Sequence, residues 1–320
     1  MTVFDSAPVP GGLLVNGVPA FKLDRSIVQR RIELLKQRGV VFRLGTELRA
    51  GAKPGRPEIN NEDGKGRSSE RISLEQLRKE FNAVFLGLDS RKARALDVPG
   101  ADLRGVIQAV PFLLQKNTPI QMDLPRVEVA GKRVVVLGGG DTAMDCLRAA
   151  VRYGAREAVG VYRRDQADMP CSRREYKNAV EEGARFVFCA APVAVLGNSQ
   201  RQVTGLRLIR TELGLTDAEG PRPFLLQPGT EFELEADWVI TALGFDPLPC
   251  PDTGEFDGFA LNDWGGLMVD AGQMTTLPGV FAGGDLVRSP SSVLNAVRDA
   301  RRAAAQIHAY LSVGRPAAAV

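Results

Sequence analysis

The sequence is poor in the residues that hold metals. One histidine, His308, occurs in 320 residues, and the four cysteines, Cys146, Cys171, Cys189 and Cys250, are scattered with no CxxC pair. This excludes a zinc site or an iron–sulfur cluster built from neighbouring ligands. A His-based triad would have to rest on His308, which stands in an Ala-rich stretch of helical pattern and reads as an ordinary helix residue. The thiols are expected to be free and mostly buried. No apolar run of about 18 residues is present, and no basic segment followed by an apolar one opens the chain. A cytoplasmic protein without a membrane partner is therefore the expectation. Charge of one sign is also lacking: 41 Lys and Arg face 38 Asp and Glu, a net +3, too little to draw nucleic acid or an anionic surface.

What is present is 44% hydrophobic and 25% charged residues, enough for one large or two medium domains. Residues 2–5 read as a short strand ending in Asp5, followed by the turn-rich PVPGG. Residues 26–38 show helical spacing of Ile27, Ile32, Leu34 and Leu35, closed by Gly39, and 40–44 read as a strand. Residues 50–69, dense in Gly, Pro, Lys and Asn, are expected to form an exposed excursion. A short helix capped by Ser73 runs over 73–80, and 83–88 is an apolar run of the kind buried in a parallel sheet, with a polar turn from Asp89. One helix, 109–116, precedes the strongest unit, which starts at Lys132. Beyond Arg185 short strands are expected at 186–189, 193–196, 203–210, 232–234, 238–241 and 280–282, with a final helix over 293–311.

The motif of greatest weight lies at 133–154. A buried-type strand, RVVVL, runs into Gly138-Gly139-Gly140-Asp141-Thr142-Ala143 and then into a helix over 144–153 that ends at Gly154. This is G-x-G-x-x-A in the strand–turn–helix setting that a dinucleotide-binding turn requires. Gly138 permits the tight turn, Gly140 lets backbone approach a pyrophosphate, and Ala143 allows the helix to pack closely. The helix N-terminus, with Asp141 and Thr142, supplies amides and partial positive charge. The next strand, 158–162, ends at Arg163 and Arg164, where an NAD-selective site has an acid. A guanidinium pair favours a 2'-phosphate, and so NADPH over NADH. The plainer alternative is two solvated surface arginines.

GGGDTAMDC followed by YRRDQADMPCSRREYKNAVEEG resembles the small subunit of glutamate synthase. VFDSAPVPGGLLVNGVPAFKLDRSIVQRR is similar to that family's second FAD-domain strand and its Gly-Gly-Leu-Leu turn. VITALGFDP and GVFAGGD resemble its two later flavin-contacting segments. The resemblance covers nearly the whole chain, although electron-bifurcating and dihydropyrimidine-oxidising flavoproteins share these motifs. It implies an α/β fold of two Rossmann-like three-layer domains. An NADPH domain at 103–235 would be inserted into an FAD domain formed by 1–102 and 236–320. It further implies that Asp5 accepts hydrogen bonds from the FAD ribose, that Gly12 and Leu13 offer backbone contacts, and that Lys22 lies close by. Gly244, Gly284 and Asp285 would belong to the flavin-contacting segments. Bland alternatives stand beside each: a loop acid, a plain turn, a helix-approach cap.

The resemblance implies a flavoprotein electron-transfer subunit that takes electrons from NADPH through FAD. Its partner would be the large subunit that makes L-glutamate from glutamine and 2-oxoglutarate, or another acceptor such as ferredoxin. Two departures accompany it. The family's first FAD-binding βα unit with its own G-x-G-x-x-G turn is missing before Met1, and so is a cysteine-rich iron–sulfur region. An incomplete FAD domain is thus expected, and with it either partial FAD occupancy or a remnant that binds NADPH alone in a structural or regulatory role.

Overall fold

The computed structural model describes residues 1–49, 58–59, 68–88, 91–117, 126–214, 222–247, 258–288 and 292–313. The turn expected at Asp89, Cys250 and most of the excursion expected at 50–69 lie outside the described residues. The chain forms two compact units. One comprises Met1–Pro10, Glu33–Lys92 and Phe245–Val320, the other Gly11–Ile32 and Ala93–Gly244.

The second unit is built on β1 (Val106–Gln108), α1 (Ala109–Asn117), β2 (Arg133–Leu137), α2 (Asp141–Arg152), β3 (Glu157–Tyr162), α3 (Arg173–Glu181) and β4 (Arg185–Phe188). After β4 the chain makes β5 (Ala190–Gly197), β6 (Val203–Leu213), β7 (Phe224–Leu226) and β8 (Phe232–Glu235), then returns as β9 (Trp238–Thr241). The parallel sheet has the order β4-β3-β2-β9-β1, so the last of its strands in the sequence enters between β2 and β1. Strands β5 to β8 make a separate antiparallel sheet around β6.

The unbroken Val-Val-Val-Leu of β2 is explained by cover on both faces. Val134 and Val136 share a core with Phe112 of α1 and Met144 and Leu147 of α2. Val135 and Leu137 point the other way, into a core with Val195, Leu206 and Leu208 of the antiparallel sheet. Alternation along one strand thus creates three layers, helices, parallel sheet and antiparallel sheet. All four side chains are at most 1% exposed, each contributing about 1.5–3 kcal/mol by burial. Helix α2 approaches the sheet through Ala143, Ala149 and Ala150, all buried. It stops beside Gly154, whose φ of +82° gives the left-handed turn expected of a glycine after a helix.

In the first unit, Thr2–Asp5 pairs in parallel with Val41–Leu44, and Val84–Leu86 with Val280–Ala282. Helix Leu74–Glu80 opens with a reciprocal cap. The Gln76 amide donates to Ser73 Oγ at 3.1 Å and the Ser73 amide to Gln76 Oε1 at 2.9 Å, satisfying two orphan donors at once. Leu74, Leu86, Leu267, Val280, Ala282 and Leu286 form its core. The helix Val293–Ser312 is held to the strand Val280–Ala282 by an edge-on contact of Tyr310 with Phe281, 6.0 Å between ring centres. Phe85, Val293 and Leu294 remain exposed. Among the described residues no helix is long and apolar enough to cross a membrane.

Candidate functional site

Three glycines between β2 and α2 each meet a different demand. Gly138 has φ +137°, and a Cβ there would stand 2.2 Å from the Ala242 carbonyl oxygen beyond β9. Its amide donates to the Val161 carbonyl of β3 at 3.0 Å. The turn is therefore squeezed between two strands where only glycine fits. Gly139 is needed as well, which the G-x-G-x-x-A pattern does not reveal. A Cβ at that position would lie 2.7 Å from the Tyr162 ring. Gly140 differs in kind. Its φ of −86° suits any residue and a Cβ would meet nothing within 4 Å, yet it is the N-cap of α2 with no capping side chain. Space stands open over the amides of a twelve-residue helix, a cradle that one methyl group would fill.

The neighbours of the turn keep it clear. Asp141, exposed on the first turn of α2, directs its carboxylate sideways to accept the Ser172 amide at 3.0 Å. The Cys171 amide donates to the Gly139 carbonyl at 3.2 Å, and the Tyr162 hydroxyl to the Asp168 carbonyl at 2.9 Å. Thr142 is half-buried, and Ala143, wholly buried, lets α2 lie against the sheet.

The two arginines after β3 part company. Arg164 is buried, and its Nε donates to the Arg222 carbonyl at 2.5 Å. Arg163 is exposed, with its guanidinium 4.8 Å from the centre of the Phe224 ring. It has no ion-pair partner among the described residues. Arg222 is occupied by Asp165 and Asp168. Of these three arginines Arg163 alone is thus left exposed without an ion pair among the described residues, its guanidinium against an aromatic ring. Phe224, from the antiparallel arm, has no sequence signal that ties it to Arg163.

Sequence pattern alone also passes over a charged stripe on α2. Asp141, Asp145, Arg148 and Arg152 recur at helical spacing on one face. Arg148 reaches Glu175 at 2.8 Å and Glu182 at 2.7 Å, and Arg152 reaches Glu182 at 2.8 Å. Lys22 lies 2.8 Å from Asp145 and 3.9 Å from Glu175, while Phe21 lies under the guanidinium groups of Arg148 and Arg152. Burial raises the Asp145 carboxyl against the pull of Lys22. Burial alone would raise Glu182 too, but hydrogen bonds from Arg152 and Arg148, with their charges, outweigh it and hold Glu182 at about 2. A carboxylate depressed from an ordinary 4.5 stabilises the fold above that pH and loses its contribution as pH falls toward about 2. Asp145, being raised, contributes with the opposite sign. Glu182→Gln is therefore expected to flatten the fall in thermal midpoint across that acid window. A slope equal to that of the unchanged protein would show that the pairing is not made in solution.

The remaining sequence-predicted residues are distributed between the units. Asp5, at the end of Thr2–Asp5, accepts the Ala7 amide at 2.9 Å. Gly12 and Leu13 open a five-residue helix, Gly12–Asn16, in the second unit, with φ +52° at Gly12 and Leu13 exposed. Lys22, also in the second unit, is committed to the carboxylates of the stripe. Gly244, φ +91°, accepts the Arg94 amide through its carbonyl at 3.1 Å. Gly284, φ +74°, donates its amide to the buried Asp299 carboxylate at 3.2 Å, which also takes Arg288 at 2.6 Å. Asp285 starts the short helix Asp285–Arg288 just beyond the strand Val280–Ala282. Cys146 is buried, Cys171 and Cys189 are half-buried, and all three are free. His308 is exposed on the final helix, as expected. Among the described residues no cluster of His, Cys, Asp and Glu could hold a metal ion.

Residues 70–300 match the pyridine nucleotide-disulphide oxidoreductase family. The chain is similar to the putative oxidoreductase AegA of Escherichia coli (strain K12), 42% identical over 98% of the chain and 46% of that protein. It is also 41% identical to the glutamate synthase NADPH small chain of Azospirillum brasilense, over 96% of the chain and 61% of that protein. The chain thus spans roughly half to three fifths of the length of these curated relatives. The resemblance to glutamate synthase small subunits stands on this similarity. Among solved structures, FprA of Mycobacterium tuberculosis in complex with NADPH superposes with a TM-score of 0.73, at 19% identity over 98% of this chain and 78% of that one. The two chains share a fold, α/β and Rossmann-like.

Proposed function

Because this chain belongs to the pyridine nucleotide-disulphide oxidoreductase family, we propose that it binds NADPH at residues 138–143 and passes electrons by way of FAD to a partner protein. The observation that carries this reading is the bare Gly140 cradle over an uncapped helix N-terminus, with unpaired Arg163 just past the neighbouring strand. Residues of that kind in that place fit a dinucleotide phosphate group. The α2 amides would receive the pyrophosphate, and Arg163 the 2'-phosphate. Arg164 would support it from behind through its hold on the Arg222 backbone.

The unit containing Met1–Pro10 and Phe245–Val320 is read as the FAD-binding domain and the other as the NADPH-binding domain. Gly284 and Asp285 stand at the carboxyl end of a parallel strand, where open α/β sheets bind ligands. A Cβ at Gly283 would lie 2.9 Å from that of Asp299, so the backbone there is bare and closely packed. These residues, with Asp5 of the same unit, fit part of an FAD site. When both are bound, NADPH supplies a hydride and FAD takes up its two electrons for onward transfer. The chain's own work is to hold and orient: Gly140 yields room, α2 offers amides, and Arg163 selects the phosphate.

The acceptor in this reading is a glutamate synthase large subunit, where L-glutamate is made from glutamine and 2-oxoglutarate, as the similarity to the Azospirillum small chain supports. The equal similarity to a putative oxidoreductase supports a second reading, a different acceptor protein. Either places the protein in the cytoplasm, where its free thiols stay reduced. Comparing which acceptor reoxidises the NADPH-reduced protein separates the two.

Replacing Arg163 by Asp tests the cofactor assignment. Loss of the charged hydrogen bonds to a 2'-phosphate is expected to weaken NADPH binding roughly 10- to 100-fold and to leave NADH nearly unaffected. Nicotinamide fluorescence titration measures both. An unaltered ratio of the two affinities would remove Arg163 from the site.

A further inference from the structure

The stripe on α2 is a larger electrostatic construction than two packed helices need. Three cations, Lys22, Arg148 and Arg152, interleave with three carboxylates, Asp145, Glu175 and Glu182. The side chains at its centre, Arg148 and Glu175, are 7% and 4% exposed. Apolar side chains of similar size would join α2 to α3 at least as strongly, because burying paired charges returns little net stability. What ion pairs supply and apolar contact does not is a single register, since a slip of one helix along the other strands every charge.

Register matters here because of what α3 carries at its start. Ser172 caps α3 by accepting the Glu175 amide at 3.2 Å. The Ser172 amide in turn donates to Asp141, the first residue of α2, and the Cys171 amide to the carbonyl of Gly139 within the turn itself. Glu175 is thus one helical turn away from the two bonds that border the cradle. Lys22, from a segment more than a hundred residues earlier, bridges Asp145 and Glu175.

We propose that Glu175 and Lys22 are positioning residues. Through the Arg148–Glu175 and Lys22–Asp145 pairs they hold residues 171–172 against the glycine turn, so that a pyrophosphate meets a cradle already shaped. This rests on the reading of residues 138–143 as a nucleotide site. The role is selective for the part of the ligand that lies over the turn. The 2'-phosphate, met by Arg163 at the end of β3, lies outside its reach.

Two probes separate these parts. NADPH carries both pyrophosphate and 2'-phosphate, whereas 2'-AMP carries only the latter. In the full chain, Glu175→Gln is expected to weaken NADPH binding about tenfold while 2'-AMP binding stays within about twofold. Lys22→Met, altered at a side chain 25% exposed against 4% for Glu175, is expected to shift NADPH in the same direction and serves where Glu175→Gln fails to fold. NADPH affinity unchanged in the folded variants overturns the proposal. So does an equal loss for both probes, which is the mark of a general structural role. If the unaltered chain binds neither probe, the nucleotide site itself is wrong. If it binds both and the variants do not discriminate, only the positioning role fails.

Discussion

Gly140→Ala is expected to leave the protein folded and to lower its affinity for NADPH a hundredfold or more, roughly 3 kcal/mol. The reasons are separable. Gly140 has an ordinary φ of −86° and free space around a prospective Cβ. The fold therefore loses only the difference between glycine and alanine at an N-cap, about 1 kcal/mol or less. The same free space is where phosphate oxygens must come within hydrogen-bond distance of the α2 amides, and a methyl group there keeps them away. Gly138→Ala is expected to behave in the opposite way. Its methyl group would be 2.2 Å from the Ala242 carbonyl oxygen in a backbone conformation of φ +137°. Strain and overlap together are expected to cost about 2–6 kcal/mol of stability. Thermal unfolding and fluorescence titration of both variants give the comparison. A Gly140→Ala protein that binds NADPH normally would mean that no phosphate approaches this turn.

The second large effect concerns stability. Arg148→Ala is expected to cost about 3–5 kcal/mol, because it leaves Glu175 buried at 4% exposure with only distant cations, Lys22 at 3.9 Å and the exposed Arg174 at 4.0 Å. Glu182 keeps Arg152. The loss is chiefly the penalty of an uncompensated charge, so removing the partner as well should restore most of it. Arg148→Met combined with Glu175→Leu is expected to be close to the unaltered protein in denaturant midpoint. A single variant within about 1 kcal/mol of the unaltered protein, or a double variant no better than the single, would contradict the burial of this pair.

The parts of this protein that are legible in its sequence are those whose physics is local. The run RVVVL announces a strand covered on both faces, and Gly138, Gly140 and Ala143 announce the turn behind it, because steric demands on a few consecutive residues leave few other choices. Ser73 signals its own helix start for the same reason. Arg163 could be picked out by its place one residue past a strand, but not told apart from Arg164. Both follow the same strand and both lie over the ring of Phe224, and what divides them is the carbonyl of Arg222, 58 residues beyond Arg164, which takes up Arg164 alone.

The stripe on α2 shows the same limit from another side. Its spacing is visible in the sequence, yet four charges at helical intervals read equally well as a solvated face. Lys22 and Asp145 are 123 residues apart, and no periodicity connects them. Likewise Trp238–Thr241 is recognisable as a strand, but nothing local tells it to enter between β2 and β1.

By itself, then, the sequence determined the strand, the glycine turn and the helix that follows it, since backbone sterics and short-range capping act within a few residues. The tertiary structure alone decided which arginine faces outward, why Gly139 must also be glycine, and which charges are neutralised. Those outcomes depend on what long-range packing brings within a few ångströms, and electrostatic and steric energies at that distance are set by the neighbour, not by the residue.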